Sequence, residues 1–334
     1  MAEQKTLRLQ TILGFDIGGT KTAIVEGTHD AAILQREEIL TEASRPFAET
    51  FPRVVATAKQ IIENANVAGR VITAISVSIG GPLKIREGLL IDPPHLPGWH
   101  GVNLKEVLQR EFPHLPVFIE HDGNAGAVAE FYFGAGKGRV GLRHLIFLTF
   151  GTGLGAGIIV NGQLLHGATD TAGEVGHLRL AWSGPVGFGK AGSWEGFASG
   201  QGLVELAAQM FPHRWQQSTP ISEVVEAMMA DDEDALAIAA EAGMWMGRGI
   251  ALLVDTLNPQ MIVLGSLAVA LGRAHTCSGA AGIGRRGSAA SRRGLRDRSG
   301  KAGKKDRRYC RVDGSHHCRK IRKGVAKQER GAWI

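Results

Sequence analysis

Apolar residues recur in short runs of strand length and, between those runs, at helical spacing. Residues 11–16 (TILGFD) and 22–27 (TAIVEG) predict two strands flanking the turn IGGTK. Phe47, Phe51, Val54, Val55, Ala58, Ile61 and Ile62 fall on one face of a helix over 46–65, with Pro46 suited to its first turn. A strand over 71–79 (VITAISVSI) stops at Gly80-Gly81-Pro82. A short helix over 103–112, a strand over 116–120 and a helix over about 123–133 follow. Residues 144–160 predict two buried strands joined by a glycine turn. Helices then fall near 201–210, 220–230 and 233–257, the last closed by Asn258-Pro259, and QMIVLG (260–265) is a final strand. Strands alternate with helices and several are paired like hairpins, so the fold class is α/β with mixed sheets flanked by helices.

Charge divides the chain. Of 38 Lys and Arg and 32 Asp and Glu in 334 residues, 19 basic and 28 acidic side chains lie in residues 1–272. The remaining 62 residues hold 19 basic, 4 acidic and all three cysteines (Cys277, Cys310, Cys318). The basic character therefore belongs to a tail, and a cysteine-free body suits a reducing, cytoplasmic compartment. Residues 273–334 contain six residues from the set Val, Ile, Leu, Met and Phe, too few to offset the entropy of ordering the segment. A disordered or poorly packed tail is expected. Residues 145–165 carry no charge, but glycines and the Asn161-Gly162 pair break the run into strands rather than a membrane span. No secretory signal is read at the N-terminus.

Three constellations carry candidate chemistry. In Asp16-Ile17-Gly18-Gly19-Thr20-Lys21-Thr22 the glycines let the backbone approach a ligand, and successive amides with the Thr20 hydroxyl can face phosphate oxygens. Asp16, at a strand end, can hold Mg²⁺ through its water shell. The alternative is an ordinary β-hairpin. Thr149-Phe150-Gly151-Thr152-Gly153-Leu154-Gly155 repeats the pattern, so two lobes are expected to grip one polyphosphate from opposite sides, two unrelated hairpins being the alternative. In Glu120-His121-Asp122-Gly123-Asn124, Asp122 sits at a strand-to-helix junction, where it can serve as the base for an attacking hydroxyl or as a helix cap.

Together with AGEVGHLRL (172–180), GSWEGFASG (192–200) and NPQMIVLG (258–265), these stretches resemble the sugar kinases of the repressor, open-reading-frame and kinase (ROK) family, over residues 11–271. The resemblance implies the two-lobe actin-like, ribonuclease H-like ATPase fold of the acetate and sugar kinase superfamily. It implies ATP and Mg²⁺ as cofactors and transfer of phosphate to the C6 hydroxyl of glucose or a related hexose, with Asp122 as general base. Gly81, His121, Glu174, His177 and Glu195 look like the sugar site. Asp16, Gly18, Gly19, Thr20, Lys21, Gly151, Thr152, Gly153, Gly155 and Gly265 look like the nucleotide site. The expected domains are 1–121, 122–272 and the tail 273–334, and the assembly usual in the family is a homodimer.

Three departures stand out. Many members bind a structural zinc through the histidine matching His177 and three cysteines of a Cys-x-Cys-Gly-x-x-Gly-Cys run. Here that run is Val186-Gly187-Phe188-Gly189-Lys190-Ala191-Gly192-Ser193. A lone histidine cannot build the tetrahedral site, so no zinc is expected and the loop is expected to rest on Phe188 and Trp194 packing. The usual Asn before the catalytic Asp is His121, and His95 adds a second imidazole in the sugar-side stretch, which leaves the hexose open. Finally, the sequence ceases to resemble the family near Gly272–Arg273, and a reading-frame shift in the coding DNA is the simplest account.

A sugar-sensing regulator is the principal alternative; with the first phosphate turn at residue 16, no DNA-binding segment is expected before it. A nucleotide-binding protein without catalysis is another. The tail offers only Tyr309 and Trp333 as aromatics, so no specific nucleic acid is expected as a partner. Its cysteines and histidines fit no familiar zinc spacing.

Overall fold

The computed structural model describes residues 8–93 and 95–265; the readings on the 273–334 tail lie outside the described residues. Two compact units result: residues 8–129 with 166–171, and residues 130–165 with 172–265. The division falls at Ala129/Glu130, eight residues beyond the sequence-based boundary.

In the first unit β1 (Leu9–Ile17), β2 (Lys21–Gly27), β3 (Ile33–Leu40), β4 (Arg70–Ile79) and β7 (Val117–His121) form one sheet in the order β3-β2-β1-β4-β7. β2 is antiparallel to β1 and β3, whereas β4 runs parallel to both β1 and β7. The two-residue pair β5 (Leu83–Lys84) and β6 (Leu89–Leu90) forms a small ladder beside it. α1 (Phe47–Val67) lays Phe51, Val54, Ala58 and Ile61 into a core with Leu13, Phe15, Ile75, Val77 and Ile79, all close to fully buried. Apart from Ala58, each of these side chains contributes about 1.5–3 kcal/mol relative to exposure. Phe47 and Phe51 meet Trp99 edge-on at 4.9 and 5.7 Å, pinning the loop before α2 (Leu104–Glu111). Glu26 is a fully buried carboxylate. It takes a bidentate bond from Arg70 at 2.7 and 2.8 Å, with Thr11 and Gln35 completing its shell.

The second unit repeats the plan on a smaller scale. β8 (Leu145–Phe150) and β9 (Leu154–Val160) form a hairpin extended by β10 (Gln163–Leu164), and β13 (Met261–Leu264) lies parallel to β8. A glycine turn joins the hairpin in both units, and a parallel strand follows each. α4 (Trp194–Ala198), α5 (Gly200–Met210), α6 (Ile221–Met229) and α7 (Glu233–Leu257) complete the unit, with the hairpin β11 (Val186–Gly187) and β12 (Lys190–Ala191) before them. α3 (Asp122–Tyr132) crosses the division between units.

α7 is capped by Asp232, whose side chain accepts from the Ala235 amide, and it ends at Asn258 in the left-handed region, as Asn258-Pro259 predicts. It is long and apolar enough to span a bilayer, yet two thirds of that window, 67%, is buried in the protein. Gly249 admits α7 to direct contact with the Trp194 ring; a Cβ there would lie 2.1 Å from indole carbon. The uncharged run 145–165 is β8, β9 and β10, as its glycines predict.

β3 and α4 are the elements of consequence that the sequence pattern did not reveal. ILQREEIL lacks alternation because β3 is an edge strand with most of its side chains in solvent.

Candidate active site

Parallel register brings the first unit's chemistry to one edge of its sheet. Asp16 on β1 pairs with Ser78 on β4, which pairs with Glu120 on β7, and Ile79 with His121. Asp122 follows directly as the first residue of α3. Ligands in sheets of this kind bind beyond the carboxyl ends of parallel strands, and this row lies there.

Asp122 is half exposed, with 49% of its side-chain surface accessible. Its carboxylate accepts from the Gly123 amide at 2.6 Å and lies 3.1 Å from His121 Nδ1. A cap would accept from the second or third helical amide, so this contact with the adjacent one leaves the carboxylate outside the capping role. The surrounding protein disfavours the charged form. His121, the Gly123 amide and the charge of His95 outweigh that and hold the carboxyl below the usual aspartate range. Asp16 moves the other way: burial, then the nearby Asp122 charge, raise it despite a Ser78 hydrogen bond and Arg36.

Gly81 lies against His121, where a Cβ would approach the imidazole to 2.8 Å. Behind the row, Glu120 accepts from the His121 amide and Asn124 Nδ2, both at 2.9 Å, while its other oxygen meets His166 Nε2 at 2.8 Å. Sequence reasoning missed His166 and Ser78, since no local motif marks a partner 46 residues away or an unremarkable strand serine.

The first glycine turn closes on itself: Gly18 N–H donates to Lys21 O at 3.0 Å, and Thr41 ties down the Gly18 carbonyl at 2.7 Å. Gly19 abuts the His95 carbonyl, which leaves no space for a side chain. Thr20 is exposed. Lys21 is drawn to Glu38 on β3, at 2.5 Å, rather than over the turn. That contact and Arg36 push Glu38 down to about 2.

In the second unit Gly151 N–H donates to Gly153 O at 3.0 Å, and Thr152 is exposed at the turn's tip. Glu195, positioned by the Ser193-capped α4, accepts from the Leu154 amide at 2.9 Å and supports the underside of Gly153. Gly173 and Gly176 press the loop 172–177 onto Ala156 and Leu154 of β9. This places Glu174 Oε2 3.5 Å from His177 Nε2. Gly155 lies on β9, and Gly265 ends β13 against the Phe147 ring. Phe188 stacks on His177 and Trp194 is fully buried, the packing expected of this loop. Among the described residues, no group of three His, Cys, Asp or Glu side chains could hold a metal ion.

A family model described as the ROK family matches residues 12–272. The chain belongs to the ROK family. A glucokinase of Streptomyces coelicolor is 32% identical over 272 residues, covering 76% of this chain and 80% of its own. A xylose repressor of Caldicellulosiruptor bescii is 28% identical over 269 residues, 77% of this chain and 66% of its own. The solved ROK family glucokinase from Streptomyces griseus, in complex with glucose and AMPPNP, superposes with a TM-score of 0.66 at 28% identity over 82% of this chain and 89% of that one. The fold is the actin-like ATPase fold of the ROK sugar kinases.

Proposed function

We propose that this ROK protein is an ATP-dependent hexose kinase that phosphorylates the C6 hydroxyl of glucose or a related hexose. The observation that carries this reading is the Asp122 carboxylate: at a strand end, half exposed, kept ionised by His121, and free of the capping role. Kinship with proteins named glucokinase, one solved with glucose and AMPPNP, supports the choice of substrates.

Asp122 accepts the hydroxyl proton as the sugar oxygen bonds to the terminal phosphorus and the bond to ADP breaks. A carboxylate below its usual range is a weak base, which suits a loose transition state in which orienting the nucleophile matters more than early deprotonation. Glu174 and His177 are the proposed contacts for sugar hydroxyls, with His121 and Gly81 bounding the first unit's share. Glu195 is proposed to act on the sugar side while holding the second turn. The exposed Thr20, Gly151 and Thr152 and the part-buried Gly19 suit phosphate oxygens, with Gly18, Gly153 and Gly155 shaping the turns, Lys21 flanking the first and Gly265 on the adenosine side. The Asp122 charge adds to the cost of ionising Asp16, and hydrated Mg²⁺, a hard cation for oxygen donors, fits Asp16 and would supply countercharge to the phosphates. A cytoplasmic homodimer belongs to the same reading.

A coupled ADP-release assay over a hexose panel tests it. The expected result is hexose-dependent turnover that falls about 10²- to 10⁴-fold in Asp122→Asn, with hexose affinity retained. Undiminished turnover in that variant removes Asp122 from the mechanism. The likeness to a xylose repressor supports a second reading, a sugar-responsive regulator. Absence of turnover with every hexose, together with a sugar-sensitive gel shift on promoter DNA at physiological salt, would select it.

A further inference from the structure

The His177 loop has lost the donors that a zinc site needs. Where the family's run places three thiolates, this chain has Val186, Phe188 and Ser193. Ser193 is committed elsewhere: its Oγ donates to Gly187 O at 3.1 Å and accepts from the Gly196 amide at 3.1 Å. The residues present do not fit the metal.

An aromatic ring stands beside the histidine instead. Phe188 lies on the His177 imidazole with centroids 3.8 Å apart and planes 19° from parallel. Its backbone gives a second, independent observation. β11 and β12 pair Val186 with Ala191 and Gly187 with Lys190, leaving Phe188 and Gly189 as a two-residue turn. Both have positive φ, 49° and 68°, the requirement of a type I′ turn, where Asn or Gly is favoured at the first position and a bulky residue is strained. Phe188 is also 55% exposed, so burial does not explain it. A strained, half-exposed phenylalanine whose specific contact is one imidazole is placed for that contact. The loop is sewn to the segment after His177: the Trp194 backbone amide donates to Leu178 O at 2.8 Å, and Lys190 Nζ to His177 O at 3.4 Å.

We infer that Phe188 is a positioning residue that orients His177 for the sugar in place of a metal ion; this rests on the sugar-binding role proposed above for His177. A metal fixes an imidazole through one nitrogen and blocks it. A stacked ring instead fixes the plane, because rotation about Cβ–Cγ drives the imidazole edge into the phenyl face. Neither nitrogen is then spent on a metal, and Nε2 lies beside the Glu174 carboxylate. Hexose recognition is therefore insensitive to chelators.

Phe188→Asn separates positioning from structure, since Asn suits the turn and removes the ring. The full-length chain, purified with EDTA, is titrated calorimetrically with the hexose panel and its melting temperature measured. Wild type is expected to bind a hexose equally with and without chelator. Phe188→Asn is expected to melt at the same or a higher temperature yet bind roughly 2- to 12-fold more weakly, the worth of one stacked pair. Phe188→Tyr should restore affinity to within about twofold. The His177 ring protons, shifted upfield by the stack in proton NMR, should move downfield in the Asn variant alone. Unchanged affinity in Phe188→Asn overturns the inference and leaves the kinase reading standing, as does loss of stability and affinity together. A wild-type chain that binds no hexose overturns the hexose reading first, and the inference with it.

Discussion

At the scale of single residues, His121 sets the working state of Asp122. Its imidazole, 3.1 Å away, counters the desolvation that would otherwise raise the carboxyl. As the proposed base, Asp122 would therefore act while ionised, and it stays ionised to lower pH than an ordinary aspartate. The acid limb of kcat/KM, which reports the free enzyme, should lie below the usual aspartate range. In His121→Gln it should move upward, because the counter-charge is gone and desolvation remains. A limb that stays put in that variant assigns it to another group. Gly81 depends on the same imidazole: Gly81→Ala puts a methyl 2.8 Å from the ring, so the ring has to turn. A roughly tenfold loss of kcat/KM with little change in melting temperature is expected, and steady-state kinetics beside a thermal scan checks it. The placement of Asp16 and Asp122 at strand ends was legible because glycine turns and strand ends announce themselves locally. The Glu120–His166 pair was not, since its two halves meet only through the fold.

At the scale of elements, the buried Glu26 bolts β2 to β4. Arg70→Met leaves that carboxylate dry and unpaired, a change worth about 3–5 kcal/mol in chemical denaturation near neutral pH. The pH dependence carries a sign. In the wild type Glu26 is lowered: burial opposes ionisation, and Arg70, Gln35 and Thr11 outweigh it. Its contribution is present above the ordinary glutamate value and is lost as pH falls through the lowered one. Without Arg70, desolvation is opposed by the Gln35 and Thr11 hydrogen bonds alone, so the carboxyl rises and the variant should lose less stability than wild type on mild acidification. Gly249→Ala tests the contact between α7 and α4. Its methyl would enter the Trp194 ring, and a loss of about 1–3 kcal/mol is expected on unfolding. Strands β1, β4, β8 and β9 and helix α7 could be read from sequence because their periodicity reports burial. β3 could not: it is held by backbone pairing to β2, and hydrophobic pattern carries no record of that bond.

At the scale of the whole molecule, the family match ends at residue 272, one position before the strongly basic stretch begins. Residues 1–272 carry a net −9 and residues 273–334 a net +15. The full chain should bind heparin with a steep salt dependence, whereas one ended at residue 272 should pass through the column. Equal retention of the two would place the anion-binding charge in the body. The likeness of the two units was partly legible, because each glycine turn sits between two apolar runs. The parallel strand beside each hairpin, β4 in one and β13 in the other, begins 43 residues after the end of β2 and 101 after the end of β9, and only the fold joins them.

Trp194 gives this architecture an optical consequence. Its indole is fully enclosed with no partner for its N–H, and it adjoins the glutamate that holds the second glycine turn. An indole in so dry a setting emits towards the blue, and polarity changes register in its spectrum. On the proposed reading, nucleotide added to the cuvette is expected to shift the Trp194 emission, read as the difference from a Trp194→Phe variant because five other tryptophans also emit.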